Sequence, residues 1–292
     1  MKMIEKFDQN RVINWYPGHM HKAKKELAKQ LKSIDVVLEI RDARIPISSV
    51  NHDLERLFHQ KKRILLFNKT DLADENITKK WNIIFRNSDI PFLFIDAINK
   101  IGLVKILPLA RSLMYQKWRS LSKKGISHPS LKLMIVGIPN VGKSSLINRL
   151  SSRKATKIGP NPGVTRNQDW IKLDKNVELL DTPGILWPKI QNPEIGIRLT
   201  ITGAIKDSIV GTSKLSIYLL NILKNSKPRK LEKLYQLNLS DTNLASEELI
   251  KKIAKKRGCL KAGGIVDLPR VESLLLRDFR AGKLGRLSFD IP

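Results

Sequence analysis

Gly137-Ile138-Pro139-Asn140-Val141-Gly142-Lys143-Ser144 spells G-x-x-x-x-G-K-[ST], and each fixed position in that spacing has a chemical use. Glycines let successive backbone N–H groups curl around phosphate oxygens, a lysine reaches the β- and γ-phosphates of a nucleotide, and a hydroxyl ligates magnesium. Asn68-Lys69-Thr70-Asp71, well ahead of this loop, reads N-K-x-D. Guanine offers an N1–H and an exocyclic amine that one carboxylate accepts together, and adenine offers no such pair. Asp71 suits that task, with Asn68 as a buttress and the Lys69 stem lying against the ring. Four common residue types recur by chance, so this motif gains its weight from standing beside a phosphate loop. In Asp181-Thr182-Pro183-Gly184 the acid can hold magnesium through water and the Gly184 amide can face a γ-phosphate.

These groups need strands to carry them. Leu131, Leu133, Met134, Ile135 and Val136 form an apolar run into the loop, and Leu146, Ile147 and Leu150 form an amphipathic run out of it, which gives strand, loop, helix. That context decides against an incidental glycine-rich turn. Further strands are expected over residues 33–40, 63–67, 92–95, 169–173 and 177–180, and helices over 54–58, 81–85 and 103–118. In an open α/β sheet ligands collect at the carboxyl ends of strands, where Asn68, Asp96-Ala97, Gly137 and Asp181 all fall. Residues 122–130 read as a polar linker and residues 157–166, rich in Pro and Gly, as a mobile loop.

Near the start, Asn14-Trp15-Tyr16-Pro17-Gly18-His19-Met20 precedes a helical pattern with Met20, Ala23, Leu27, Ala28 and Leu31 on one face. His19 therefore stands near a helix N-terminus, whose partial positive charge keeps an imidazole neutral. From the residues alone it is equally a structural histidine. Beyond Pro188 the pattern turns helical. Leu215, Tyr218, Leu219, Ile222 and Leu223 make one stripe, Ser246 is expected to cap a second helix and Asp267 a third. Basic clusters at 224–233 and 251–257 are solvated faces or RNA contacts.

The 292 residues carry 54 Lys and Arg against 27 Asp and Glu, a net charge of +27. Such an excess attracts polyanions, and each cation placed near a phosphate releases a counterion, so salt-dependent nucleic-acid binding is expected. An anionic membrane surface is a weaker rival. No stretch approaches the roughly 20 apolar residues of a spanning helix, and residues 1–10 lack the apolar core of a signal peptide. Cys259 is the single cysteine. It forms no internal disulfide, which fits a cytoplasmic protein and a thiol used for buried packing.

Ras-like GTPases run phosphate loop, switch Thr, D-x-x-G, then N-K-x-D; here N-K-x-D comes first. A pocket built at strand ends survives such a rotation because it depends on where the strands lie. The cut falls just after Asp181-Thr182-Pro183-Gly184-Ile185, where the helical region begins. The fold expected is α/β, a circularly permuted Ras-like P-loop GTPase domain with a mostly parallel six-stranded sheet over residues 1–190, then a small all-α domain over 191–292.

The rotated order, the W-Y-P-G-H-M stretch, G-I-P-N-V-G-K-S-S, P-G-V-T-R, D-T-P-G-I-L and the closing G-G-x-x-D-x-P-R with L-R-D-F-R-x-G-K-L-G-R together closely resemble the YlqF/RbgA ribosome-biogenesis GTPases. Members of that family are bacterial, with organelle relatives, and act late in maturation of the large ribosomal subunit, binding its RNA and using GTP hydrolysis to leave or license the particle. The resemblance implies GTP and GDP held by Asn68, Lys69, Asp71, Ala97, Asn140, Val141, Gly142, Lys143, Ser144, Ser145 and Gly184. It implies magnesium at Ser144, Thr165 and Asp181, potassium at Asn140, and Thr165 on the γ-phosphate. Ile185 stands where Ras-like enzymes carry a water-orienting Gln, and an isoleucine cannot orient water. His19 is the family's proposed substitute. Asp96-Ala97 departs from the family's S-A motif, so only a backbone contact at Ala97 carries over.

The function expected is a cytoplasmic, monomeric GTPase that binds rRNA and proteins of the immature large subunit, without a membrane, slow alone and faster on the particle. The alternative is a nucleotide-controlled RNA or protein binding module in which hydrolysis is incidental. A P-loop ATPase or small-molecule kinase is disfavoured by N-K-x-D.

Overall fold

The computed structural model describes residues 13–14, 25–125, 130–151, 169–187 and 189–292. His19 and Thr165, with the stretches around them, lie outside the described residues. The chain divides into a sheet-bearing unit, Asn14–Gln191 with Ser288–Pro292, and a helical unit that contains Asn192–Leu287. The last five residues, read from sequence as part of the helical region, thus belong with the sheet.

Six strands build that sheet: β1 Val36–Asp42, β2 Lys62–Asn68, β3 Phe92–Phe94, β4 Leu131–Gly137, β5 Asp169–Asp174 and β6 Val177–Asp181, in the order β3-β2-β1-β4-β6-β5. Every pairing is parallel except that of β5 with β6. Only Lys175 and Asn176 join those two strands, too few residues for a crossover, so they form a hairpin. β1 and β4 are buried over nearly all their length, as near-continuous apolar runs in the middle of a parallel sheet should be. The register sets the site. Asp42 lies opposite Asn68, Ile40 opposite Gly137, and Phe67 opposite Phe94, so the carboxyl ends of four strands share one edge.

Helices α1 His52–Leu57, α2 Glu75–Arg86, α3 Ile106–Lys123 and α4 Lys143–Leu150 connect the strands. Asn51 and Asp74 cap α1 and α2 by accepting backbone N–H groups in the first turn. One core cluster joins Leu27, Leu31, Val37, Leu54, Phe58, Met134 and Leu180 on one face of the sheet. Another joins Leu65, Phe67, Trp81 and Phe85.

The helical unit contains α5 Pro193–Ile201, α6 Asp207–Val210, α7 Thr212–Ser226, α8 Pro228–Tyr235, α9 Ser246–Lys256 and α10 Leu268–Arg280. Leu215, Leu219 and Leu223 of α7 are buried, as are Val271, Leu275 and Phe279 of α10, and those two helices pack together. Arg280 locks the end of α10 to the start of the unit, donating to both Asp207 oxygens and to the carbonyls of Thr200 and Ile201. Asp267 caps α10 as expected. Ser246 does not cap α9. It is the first helical residue, Ala245 holds the cap position, and the Ser246 hydroxyl donates to Asn221 on α7 at 2.6 Å, so a tertiary partner displaced the local one. Cys259 is buried. No helix among the described residues is long and apolar enough to cross a membrane.

Phe67 is fully buried and meets Phe85 and Phe94 at ring-centroid distances of 4.5 and 4.8 Å. Phe67→Ala should cost about 3–5 kcal/mol in denaturant unfolding, whereas Ile83→Ala, on the exposed side of α2, should stay within about 0.5 kcal/mol of wild type.

Candidate functional site: a nucleotide cradle at the strand ends

The phosphate loop starts at the end of β4, where Gly137 pairs with Ile40 of β1. A Cβ on Gly137 would fall 2.5 Å from the Ile40 carbonyl oxygen, so glycine is required by contact. Gly142, at φ 103°, turns the chain into α4 in a region that disfavours side chains, and a Cβ there would sit 2.2 Å from Asn68 Nδ2. The N-terminus of α4 is thereby presented at the strand edge, with backbone N–H groups suited to an anion. Lys143 is 6% exposed, and its ammonium folds back on its own loop, donating to the carbonyls of Gly137 at 3.1 Å and Ile138 at 2.9 Å. Burial pulls its pKa down to about 8 against the opposing charge of Asp181, with Lys69 adding to the fall. A triphosphate would replace those two carbonyls with far stronger acceptors.

Asn68 closes the other side. Its Nδ2 donates to the Val141 carbonyl at 2.9 Å, and its Oδ1 accepts the Ala97 N–H at 3.0 Å. One buried side chain therefore ties the N-K-x-D strand to the phosphate loop and to the Asp96-Ala97 turn. Asp96 shapes that turn by accepting the amides of Ile98 and Asn99. Lys69 sends its ammonium to the Asn140 carbonyl at 2.6 Å and to Asp42 Oδ2 at 3.1 Å. Both Lys69 and Asn140 hold positive φ, 65° and 56°, a left-handed conformation that costs about 1–3 kcal/mol each and persists only under outside restraint. Burial and then the Asp96 charge push the Asp71 carboxyl upward. The two N–H groups of a guanine would act in the opposite direction.

Asp181 closes β6 and is 1% exposed. Thr182 behind it donates its hydroxyl to the Ile135 carbonyl at 2.6 Å, fixing the D-T-P-G turn to β4. A Cβ on Gly184 would lie 2.7 Å from Pro139 Cα and 3.1 Å from Lys143 Nζ, so this glycine rests directly on the phosphate loop. Ile185 is 1% exposed and belongs to the core cluster with Leu54, Phe58 and Leu180. Its amide donates to Gly137 O and its carbonyl accepts from Asn51 Nδ2. It points into the core and contributes no polar atom to the cradle beyond its backbone. The Ser144 hydroxyl and the Asp181 carboxylate are hard oxygen donors of the kind magnesium takes, on a helix and a strand that pack together. Among the described residues no group of three or more His, Cys, Asp or Glu could hold a metal.

Two residues escaped the sequence reading. Asp42 closes β1 and accepts from Arg44 Nε at 2.9 Å and Nη2 at 2.8 Å, as well as from Lys69. Burial alone would raise its pKa; the charges of Arg44 and Lys69 and the Arg44 hydrogen bonds outweigh it and hold the carboxyl well below the usual range. The signal was present as R-D-A-R directly after a strand, but nothing in it named Lys69 as the partner.

Lys143 carries a test with a definite sign. Its folded pKa lies below the ordinary lysine value, so without nucleotide the fold bears the full penalty below pH about 8 and is relieved of it as pH rises toward about 10.5. Nucleotide-free wild-type protein should gain stability over that window, and Lys143→Met should lack the gain. The same variant should bind GDP at least about 10- to 100-fold more weakly, the value of one or two charge-assisted hydrogen bonds. Equilibrium unfolding against pH and a nucleotide titration read both.

Residues 132–253 match the family model described as "50S ribosome-binding GTPase". The chain is 46% identical to ribosome biogenesis GTPase A of Bacillus licheniformis, over 96% of this chain and 99% of that one. It is 31% identical to ribosome biogenesis GTPase A of Thermotoga maritima, over 96% and 95%. Among solved structures it resembles GNP-bound YlqF from T. maritima, with a TM-score of 0.64 and 27% identity over 93% of this chain and 98% of that one. GDP-bound TM YlqF matches with a TM-score of 0.59 and 28% identity over 91% and 99%. The family model begins in the phosphate-loop strand and so leaves out Asn68–Asp71, as the rotated motif order requires. The chain belongs to the ribosome biogenesis GTPase A (YlqF/RbgA) family of circularly permuted, guanine-nucleotide-binding GTP hydrolases.

Proposed function

We propose that this GTPase acts in the cytoplasm as a monomer, late in assembly of the large ribosomal subunit. It binds rRNA of the precursor and uses GTP hydrolysis to complete or leave that step. The relatives are named for ribosome biogenesis and the matching family model for 50S binding, which supports the particle as the partner. The charge of +27 supports RNA as the surface met. Within the helical unit Arg229, Lys230 and Lys233, and Lys251, Lys255, Lys256 and Arg257, are exposed, so both clusters are available to a phosphate backbone. The region after residue 190 is on this reading the RNA-binding part.

The observation that carries the mechanism is the burial of Ile185. The cradle can hold a triphosphate through Lys143, through Val141, Gly142, Ser144 and Ser145 of the loop and its helix start, and through the Gly184 amide. It can hold guanine through Asp71, with Asn68, Lys69 and Ala97 in support. Magnesium falls to Ser144, Asp181 and Thr165, and potassium to Asn140. The Ile185 side chain cannot orient the attacking water, so that task falls to His19 of the N-terminal stretch, acting as a polar group on the particle. Partner-assisted GTPases gain about 10⁵-fold in rate, which leaves ample room for a slow free enzyme and a fast bound one.

GTP turnover with and without immature large subunits tests this reading. Stimulation of at least about 10-fold is expected, and no response to any ribosomal particle would overturn it. His19→Ala should leave GTP affinity nearly intact and lower the stimulated rate by about 10²-fold. A normal stimulated rate in that variant would return His19 to a structural role.

A further inference from the structure

The chain ends on the guanine side of its own nucleotide site. Ser288, Phe289 and Asp290 are buried and belong to the sheet-bearing unit. Asp290 Oδ2 accepts the backbone N–H groups of Ile47 and Ser48, each at 2.7 Å, and Oδ1 accepts the Ser48 hydroxyl at 2.6 Å. A buried carboxylate is costly unless its oxygens are satisfied, and three short charge-assisted bonds satisfy this one. The Phe289 N–H donates to the Arg44 carbonyl at 2.9 Å. Ser288 Oγ accepts the amide of Asp74, the cap of α2, at 3.0 Å, and Trp81 on the same helix donates its indole N–H to the Asp290 carbonyl at 3.0 Å.

The strap therefore holds the segment after β1 and the helix after N-K-x-D. From the first of these a continuous path leads inward. Arg44, whose backbone the strap fixes, grips Asp42 with two guanidinium nitrogens. Asp42 holds the Lys69 ammonium, and Lys69 reaches across to the Asn140 carbonyl of the phosphate loop. Lys69 and Asn140 are the non-glycine residues of the site held at positive φ, so this is where outside restraint is needed.

We propose that Ser288–Pro292 is a positioning element of the guanine-nucleotide site, in which Asp290, acting through the Arg44 segment and Asp42, keeps Lys69 and the N-K-x-D loop in their nucleotide-binding conformation. The proposal rests on the assignment of guanine to Asp71. Removal of the Asp290 carboxylate frees two amides and a hydroxyl of the 47–48 turn, loosens Arg44 and lets Lys69 leave its strained position. The nucleotide then dissociates faster, since changes in a preformed site appear mostly in the off-rate.

The test measures GDP dissociation and the KM for GTP in the full chain. Asp290→Ala should speed GDP release and raise KM by about 10-fold, more than it changes kcat; a defect confined to folding would lower kcat per mole of protein and leave KM alone. Asp290→Asn keeps one oxygen for the two amides and should recover most of the affinity. Ser48→Ala, which removes a single donor, should show a smaller shift in the same direction. Wild-type GDP release in folded Asp290→Ala overturns the proposal; if that variant does not fold, wild-type release and KM in Ser48→Ala overturn it. Asp71→Asn separates the two readings. If it fails to weaken GDP the guanine assignment is wrong, whereas a weakened Asp71→Asn beside an unaffected Asp290→Ala or Ser48→Ala rejects only the strap.

Discussion

Everything at the nucleotide edge depends on one buried amide. Asn68 donates to the Val141 carbonyl and accepts the Ala97 N–H, so the strand end that carries N-K-x-D is fastened to the G-x-x-x-x-G-K-S loop. In a low-dielectric interior an unsatisfied amide costs about 1–3 kcal/mol, so the two halves of the site are favoured only when both bonds are made together. Gly142 exists to let this happen, because any side chain there would occupy the position of Asn68 Nδ2. Lys69 repeats the link one residue later through Asn140. The base and phosphate halves are thus one rigid object despite their separation in sequence.

That rigidity explains how a rotated chain keeps its function. The register of β1, β2 and β4 places Asp42, Asn68 and Gly137 at one edge whatever the order of connection. Rotation changes instead what the chain does next. Once past Asp181, Gly184 and Ile185 it enters the helical unit at Asn192, and it returns to the sheet-bearing unit at Ser288. Ile185 shows the same economy. Its side chain supplies core packing and its backbone supplies bonds to Gly137 and Asn51.

Strands and phosphate loop were legible in the sequence because their signals are local. Short continuous apolar runs such as Leu133 to Val136, bounded by a glycine-rich loop, suit buried strands of a parallel sheet, and G-x-x-x-x-G-K-S has few other uses. The partners of Asn68 were legible in outline, as a buttress, but not by name. Asp42 and Arg44 showed only as an R-D-A-R run with no partner named, and Asp290 was not legible at all, since it meets Ser48 across 242 positions and no periodicity reports such a pairing. The misread cap at Ser246 has the same origin. A hydroxyl that local rules assign to its own helix was claimed by Asn221 on a neighbouring one.

The central claim is that Asn68, Lys69 and Asp71 make this cradle selective for guanine. Competition of GTP and ATP for a bound fluorescent guanine nucleotide tests it most directly. A site built around hydrogen bonds to a base rejects an analogue lacking them by about 10⁴-fold, so GTP should displace the probe near stoichiometry while a large excess of ATP does not. Displacement by ATP at concentrations close to those of GTP would contradict the account.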